Sequence, residues 1–225
     1  MILPLRNPSE GKTRLAPVLD PHLRRALVEA MFTDVVRAVT RGPVGDVVVA
    51  AQGPEACALA RSQGLDAIED PTSRGGLVEA VAGATASVAH RDVAVIAADL
   101  PGLTPIDVQA LLRPDAEVVI APTRRGGTGG LLRRPGGCLT ADYGPRSGDL
   151  NAAAARDAGL RVATVHVNGL HDDVDVVDDL VALDAATVGL ATSVLLDAIR
   201  EQVSAWDERP RHGDGHGPPA TWRTR

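Results

Sequence analysis

Short apolar runs alternate along this chain with longer segments whose apolar residues recur at helical spacing. The five clearest runs begin at residues 1, 46, 65, 92 and 117 and read MILPL, DVVVAA, LDAIED, DVAVIAAD and EVVIAP. Near-continuous apolar runs of this length are typical of strands buried on both faces of a parallel sheet. The alternation therefore predicts an α/β fold, with a mostly parallel sheet as the middle one of three layers.

Helical patterns follow the strands. Asp20 before Pro21 is typical of a capped helix start, and the apolar positions from Leu23 to Ala38 predict an amphipathic helix from Pro21 to Thr40. Further helices are predicted for PEACALARSQ, for Leu77 to Ala89, from Thr104-Pro105 onward and ahead of Gly159, with a late strand at RVATVHV. From residue 201 the chain is polar, aperiodic and rich in Pro and Gly. The domain is therefore predicted to span residues 1–200, and residues 201–225 to form a disordered tail.

Composition excludes several classes of function. The 225 residues carry a net charge of −6, which argues against a nucleic-acid-binding surface. No apolar run approaches the roughly 20 residues of a membrane-spanning helix, and the N-terminal segment lacks a signal-peptide pattern. Cys57 and Cys138 are isolated in the sequence, so neither a disulfide nor a zinc site is expected. Reduced cysteines of this kind favour a cytoplasmic protein.

The loop after the first strand, RNPSEGKTRL, contains Lys12, the only lysine of the chain. Ligands of open parallel sheets bind beyond the carboxyl ends of the strands. A glycine that permits close backbone approach, beside several cations, suits the phosphates of a nucleotide. Arg6 stands where a P-loop would have its first glycine, so a P-loop is rejected. A solvated surface loop is the alternative.

Carboxylates follow the central strand and recur near the end of the domain. Asp99 ends the run DVAVIAAD, and Asp173 and Asp175 alternate within HDDVDVVDDL. Alternate residues of an extended segment project to one side. The three carboxylates are therefore predicted to share a Mg²⁺ ion bound to nucleotide phosphates. The alternatives are a turn-forming role for Asp99 and helix-start roles for Asp178 and Asp179.

Two glycine-rich segments, RRGGTGG and YGPRSGD, predict an anion pocket. They carry the hydroxyls of Thr128 and Ser147 close in sequence to Arg124, Arg125 and Arg146. Ser147 also begins a predicted helix, whose N-terminal amides would face the anion. The alternative is a mobile glycine-rich hairpin beside an ordinary serine cap.

Five motifs together resemble a known family. GKTRLAP, AADLPGLTP, APTRRGGT, YGPRSGD and DDVDVVDDL occur in the order and spacing of the nucleotidyltransferases of coenzyme F420 biosynthesis, over roughly residues 1–185. These enzymes are the 2-phospho-L-lactate and phosphoenolpyruvate guanylyltransferases. The resemblance implies a fold like that of molybdenum cofactor guanylyltransferase, in which a phosphorylated three-carbon acid attacks GTP and releases pyrophosphate. The acid's phosphate oxygen is already a nucleophile, so neither a general base nor a covalent intermediate is needed.

The resemblance also assigns roles to individual residues, with Mg²⁺ as the cofactor. It implies catalytic roles for Lys12, Arg14 and Asp99, acceptor binding by Thr128, Gly144 and Ser147, nucleotide binding by Pro4, Arg6, Lys12 and Gly76, and metal binding by Asp99, Asp173 and Asp175. The implied partners are GTP, the phosphorylated acid and a downstream transferase that accepts the activated product. Neither nucleic acid nor membrane is expected, and a homodimer is compatible with the pattern.

Three positions depart from the family pattern. Val78 and Gly129 replace asparagines and Asn151 replaces a histidine. The arginine-rich composition is typical of a high-GC bacterium and favours phosphoenolpyruvate as the acceptor. Two alternatives stay open: a related transferase with another nucleotide or acceptor, such as a cytidylyl- or molybdopterin guanylyltransferase, and a non-catalytic nucleotide-binding paralogue.

Overall fold

A seven-stranded sheet forms the centre of the computed structural model, which describes residues 1–69 and 76–207. The strands lie in the order β3-β2-β1-β4-β6-β5-β7. Their bounds are β1 (Ile2–Leu5), β2 (Val48–Ala51), β3 (Asp66–Glu69), β4 (Val93–Ile96), β5 (Val118–Pro122), β6 (Thr128–Arg133) and β7 (Val162–Thr164). Among the described strands β6 alone runs antiparallel to its neighbours. The predicted mostly parallel α/β sheet is confirmed.

Helices cover both faces of the sheet. Their bounds are α1 (Pro21–Thr40), α2 (Pro54–Ser62), α3 (Leu77–Ala86), α4 (Pro105–Leu112), α5 (Ser147–Asp157), α6 (Asn168–His171), α7 (Val177–Val181), α8 (Leu190–Ser193) and α9 (Leu196–Asp207). Leu3 and Leu5 of β1 pack in the core that α1, α2 and α4 cover, whereas Ile2 packs in the core that α3 covers. Alternate strand residues point to opposite faces, and both faces are apolar here, which explains the continuous hydrophobic runs.

Helix α1 buries two sides rather than one. Val35 and Ala38 pack against the sheet, but Leu23, Leu27 and Met31 join a separate core with the C-terminal helices. Its start is as predicted: the Asp20 carboxylate accepts a hydrogen bond from the Leu23 amide at 2.8 Å, a contact typically worth about 1 kcal/mol. The predicted helix from Pro21 to Thr40 is confirmed with all five of its predicted apolar positions buried, and part of its surface is covered by chain from far away in the sequence.

Strand β6 was not predicted as a strand. It begins in the glycine-rich segment and pairs with both β4 and β5. A Cβ at Gly130 would lie 2.9 Å from a methyl group of Leu111, so the helix packs directly on the strand backbone there. Glycine has a low strand propensity, and a close helix is one of the few reasons to place it in a sheet.

The C-terminal boundary drawn at residue 200 falls inside helix α9. This helix continues to Asp207; Leu196 and Ile199 are buried against α1, and Val203 packs on the same core. Gln202 exchanges two hydrogen bonds with Asp20 at the start of α1. Residues 201–207 thus belong to the folded domain, and residues 208–225 lie outside the described chain. Within the described residues, the structure contains no helix with the length and apolar character needed to span a membrane.

Candidate active site at the strand ends

The carboxyl ends of β1 and β4 lie side by side because the two strands pair in parallel. The loop after β1 carries Lys12, and the loop after β4 carries Asp99. The amino end of β6 meets the same edge of the sheet, because Ile96 of β4 is in register with Gly130. Three of the predicted motifs therefore reach one edge, as the strand-end rule requires.

Lys12 lies at the centre of a cluster of charges. Its ammonium donates to Asp99 Oδ2 and, at 2.9 Å, to Asp175 Oδ1, and only 10% of its side chain is exposed. Its backbone adopts the left-handed region at φ 52°, which is uncommon for a residue with a side chain. Burial lowers the pKa of Lys12, but the two carboxylates outweigh that effect and raise the pKa above its usual value.

Asp173 completes the cluster beside Asp99, Asp175 and Lys12. Burial, then the neighbouring charges of Asp99 and Asp175, raise the pKa of Asp173 to about 6. For Asp175 burial also acts upward, but the Lys12 ammonium dominates and lowers its pKa. The Val174 amide donates to the Asp99 carbonyl at 3.3 Å and so fixes the acidic segment beside the loop after β4.

Three carboxylates are chemically suitable ligands for a hard divalent cation, because Mg²⁺ prefers oxygen ligands. Its positive charge would also offset the negative charge of Asp173. Their arrangement is not yet that of a closed metal cage. Within residues 1–69 and 76–207, no three His, Cys, Asp or Glu side chains are grouped closely enough to hold a metal. Lys12 lies between Asp99 and Asp175, so an ion bound by these carboxylates would have to displace its ammonium.

Two other aspartates of the acidic segment, Asp172 and Asp179, have structural roles. Asp172 pairs with Arg124 and Asp179 with Arg125, each at 2.6 Å. Asp179 also accepts the amides of residues 175 and 176, each at 2.9 Å, at the start of α7. The helix-start role foreseen for Asp179 is confirmed. Arg124 and Arg125, expected beside the anion pocket, instead hold the acidic segment in place.

A second cluster, the hydroxyl network, consists of Thr128, Ser147 and Asn151. The hydroxyls of Thr128 and Ser147 lie 2.7 Å apart, and Asn151 Nδ2 donates to Thr128 Oγ1 at 3.4 Å. Ser147 and Asn151 are each 1% exposed, whereas Thr128 is half-buried. The structure thus brings together the two predicted hydroxyls and adds Asn151, which the sequence had marked only as a departure from the family.

Two of the amides that begin α5 already have acceptors, contrary to expectation. The Ser147 amide donates to the Gly144 carbonyl and the Gly148 amide to the Gly126 carbonyl, both at 3.1 Å. The predicted Gly144 therefore contributes through its carbonyl to the turn before α5. An anion at this end of the site could not bind these two amides without displacing their present acceptors.

Gly129 explains a second departure from the family pattern. A Cβ at this position would overlap the carbonyl oxygen of Leu170, because the segment between β7 and the acidic residues crosses β6 here. The Arg124 amide donates to the carbonyl of His171 at 2.9 Å and helps to hold that crossing. Asparagine therefore cannot occupy position 129 with the backbone as it is.

Four further predicted site residues are Pro4, Arg6, Arg14 and Gly76. Pro4 lies within β1 opposite Ala50, Arg6 follows β1 and is exposed, and Arg14 lies close enough to Asp175 to lower its pKa. Gly76 precedes α3 and is exposed. The predicted loop that leads to it, residues 70–75, lies outside the described chain.

Comparison with known proteins identifies relatives of this chain in sequence and in fold. A phosphoenolpyruvate guanylyltransferase of Conexibacter woesei is 40% identical over 81% of this chain and 85% of its own length. A 2-phospho-L-lactate guanylyltransferase of Haloarcula marismortui is 38% identical over 76% of this chain and 79% of its own. A solved structure from Desulfovibrio desulfuricans G20, assigned to the nucleotide-diphospho-sugar transferases, superposes with a TM-score of 0.72 at 18% identity. It covers 91% of this chain and 96% of that one.

At 18% identity the solved structure supports the fold alone. The family assignment rests on sequence. The model described as "Guanylyl transferase CofC like" matches residues 1–209, which include every residue of the Lys12 cluster and of the hydroxyl network. The chain belongs to the family of CofC-like guanylyl transferases.

Proposed function

We propose that this guanylyltransferase joins the GMP part of GTP to phosphoenolpyruvate, with 2-phospho-L-lactate as the alternative acceptor, in coenzyme F420 biosynthesis. The acceptor's phosphate oxygen attacks the α-phosphorus of GTP, the bond from that phosphorus to the β-phosphate oxygen breaks, and pyrophosphate leaves. The observation that carries the proposal is the meeting of a charged cluster and a hydroxyl network at one sheet edge, on the adjacent strands β4 and β6. Relatives named for these two acceptors support the choice.

The Lys12 cluster is the proposed triphosphate end. Asp99, Asp173 and Asp175 would hold Mg²⁺, which supplies positive charge against the developing charge of the pyrophosphate. Lys12 then has to release Asp99 and Asp175, and its ammonium becomes free to bind a phosphate oxygen. Arg6 and Arg14 are exposed on the same loop and can add charge at the outer phosphates. A lysine suits this exchange because it is a compact charge on a flexible stem.

The hydroxyl network is the proposed acceptor end. A phosphorylated acid carries a phosphate and a carboxylate, and Thr128 is the half-buried member that such an anion can reach. The reaction needs alignment more than proton transfer, because the attacking oxygen is already anionic. A preset, mostly buried network provides alignment without reorganisation during the reaction.

The proposed product keeps one phosphoanhydride bond. A downstream transferase that breaks this bond and expels GMP is therefore the proposed consumer. The Mg²⁺ requirement belongs to the same proposal.

The test is a pyrophosphate-release assay that crosses GTP, ATP and CTP with phosphoenolpyruvate, 2-phospho-L-lactate and 3-phosphoglycerate in the presence of Mg²⁺. We expect release with GTP and phosphoenolpyruvate, weaker release with 2-phospho-L-lactate, and little without an acceptor. Turnover with ATP or CTP instead of GTP would show that the enzyme uses a base other than guanine. GTP binding without turnover of any acceptor would identify a nucleotide-binding paralogue instead.

A further inference from the structure

Asn151 lies behind the hydroxyl network, in the second turn of α5, and its side-chain orientation is fixed by the backbone. Its Oδ1 accepts the Asp142 amide at 2.8 Å, and its Nδ2 donates to the Asp142 carbonyl at 3.0 Å. A backbone amide can only donate and a carbonyl can only accept. The side-chain amide therefore cannot flip without losing both bonds, and the group that faces Thr128 is an NH₂.

The NH₂ of Asn151 determines the direction of the hydrogen bond between Thr128 and Ser147. Thr128 and Ser147 carry one hydroxyl hydrogen each, and one of the two bridges their oxygens. The other hydrogen has no acceptor on Asn151, since an amide nitrogen has no lone pair to offer. Among the described residues Ser147 Oγ bonds only Thr128, and Ser147 is 1% exposed. Ser147 therefore donates to Thr128, and the hydrogen of Thr128 is left to point outward.

We propose that Asn151 is a positioning residue that fixes the Thr128 hydroxyl as a hydrogen-bond donor to the phosphorylated acceptor. Thr128 Oγ1 receives hydrogens from both Ser147 and Asn151, so its own hydrogen is available only to a ligand. A hydroxyl polarised in this way binds an anion, which accepts its hydrogen, better than a ligand that would have to donate a hydrogen bond to its oxygen. This inference rests on the proposed function for the identity of the anion, but not for the direction of the hydrogen bonds.

The same residue also holds the loop that precedes α5, because both of its bonds to Asp142 clamp that loop. If Asn151 had only a structural role, that role would consist of these two bonds to Asp142 and would not involve Thr128. The two roles predict different behaviour when the Thr128 hydroxyl is absent, and a double-mutant cycle separates them.

The experiment titrates phosphoenolpyruvate by calorimetry into the full chain with Mg²⁺ and the α,β-methylene analogue of GTP, which cannot react. Asn151→Ala and Asn151→Asp are each measured alone and together with Thr128→Val. Asn151→Asp keeps the shape and the acceptor for the Asp142 amide but loses the donor to the Asp142 carbonyl, so a thermal melt first shows that each variant is folded. At pH 8.5 its carboxylate would accept the Thr128 hydrogen.

We expect Asn151→Ala to raise the dissociation constant of phosphoenolpyruvate about 10-fold, the usual effect of one hydrogen bond to a charged group, and Asn151→Asp to raise it further. Affinity for the GTP analogue should change less than about 2-fold. In the Thr128→Val background both effects should fall below about 3-fold, because the hydroxyl that Asn151 orients is missing.

Undiminished effects in the Thr128→Val background, or a parallel loss of GTP-analogue affinity, would overturn the inference in favour of the clamp alone. Failure of the wild-type chain to bind phosphoenolpyruvate, 2-phospho-L-lactate and 3-phosphoglycerate would overturn it as well. If the wild-type chain binds phosphoenolpyruvate with the expected pattern in the variants but releases no pyrophosphate from GTP, the proposed function fails and the role of Asn151 stands.

Discussion

The Lys12 cluster and the hydroxyl network reach the same sheet edge, but they are built from different chemistry. The first consists of one ammonium and three carboxylates, and the charges of this cluster shift the pKa values of Lys12, Asp173 and Asp175. The second consists of neutral donors and acceptors, two of them almost fully buried. In the proposed reaction, charges in the first cluster exchange partners when phosphates and metal bind, whereas the second cluster meets its ligand unchanged. We therefore expect the Lys12 cluster to rearrange when the nucleotide binds and the hydroxyl network to be preorganised for the acceptor.

The largest expected effect comes from Asp99→Asn. This change removes a proposed metal carboxylate and one of the two partners of Lys12, so the catalytic rate should fall by about 100-fold or more. Asp92→Asn, at the opposite end of the same strand and 66% exposed, is the matched control. Steady-state pyrophosphate release measures both variants. A fully active Asp99→Asn variant would mean that the carboxylate only shapes the turn.

Lys12→Ala should lower the catalytic rate at least ~10-fold. Lys12→Arg should also be impaired, because a planar guanidinium is larger than the nearly enclosed ammonium it replaces. The structure adds a readout that is independent of activity. Without the ammonium, Asp99 and Asp175 are free, so nucleotide-free Lys12→Ala protein should bind Mn²⁺ more tightly than wild type in a titration followed by electron paramagnetic resonance. Unchanged Mn²⁺ affinity would contradict the idea that Lys12 holds the metal position.

Ser147→Ala should raise the Michaelis constant of the acceptor about 10-fold and leave that of GTP within about 2-fold. The physical reason is indirect: the Thr128 oxygen loses the hydrogen bond that Ser147 donates to it. Ser62→Ala, on the distant helix α2, is the control. If the Michaelis constant of GTP rose equally, the two ends of the site would not be separable as described.

The smallest effect concerns stability. Removing residues 201–225 cuts α9 and takes away Val203 and Gln202, which contact α1 and its cap. A loss of about 1 kcal/mol would lower the thermal midpoint by roughly 2–4 °C in a domain of this size. Removal of residues 208–225, which leaves α9 intact, is the control in the same calorimetric scan. Equal midpoints for the two truncations would show that the last turns of α9 contribute nothing to stability.

The parallel half of the molecule could be predicted from sequence because its strands are apolar on both faces and end in chemically distinctive residues. That pattern located Lys12, Asp99 and the Asp173/Asp175 pair. It could not show that Lys12 bonds the carboxylates, since this depends on the path of a segment more than 160 residues away. Strand β6 was not predicted because glycines interrupt its apolar pattern. The prediction for the α5 amides was wrong because the turns whose carbonyls they bond leave no periodic pattern in the sequence. Asn151 bonds Thr128 across 23 residues, and no local pattern encodes such a contact.

The most direct test of the central claim is a ³¹P NMR time course of the wild-type chain with GTP, phosphoenolpyruvate and Mg²⁺. The account predicts that GTP signals decline while free pyrophosphate and one new pair of coupled diphosphate signals grow in equal amounts. Omission of the acceptor should abolish the new pair. The appearance of GDP and inorganic phosphate alone, or an unchanged spectrum of bound GTP, would contradict transfer of the guanylyl group to an acceptor phosphate.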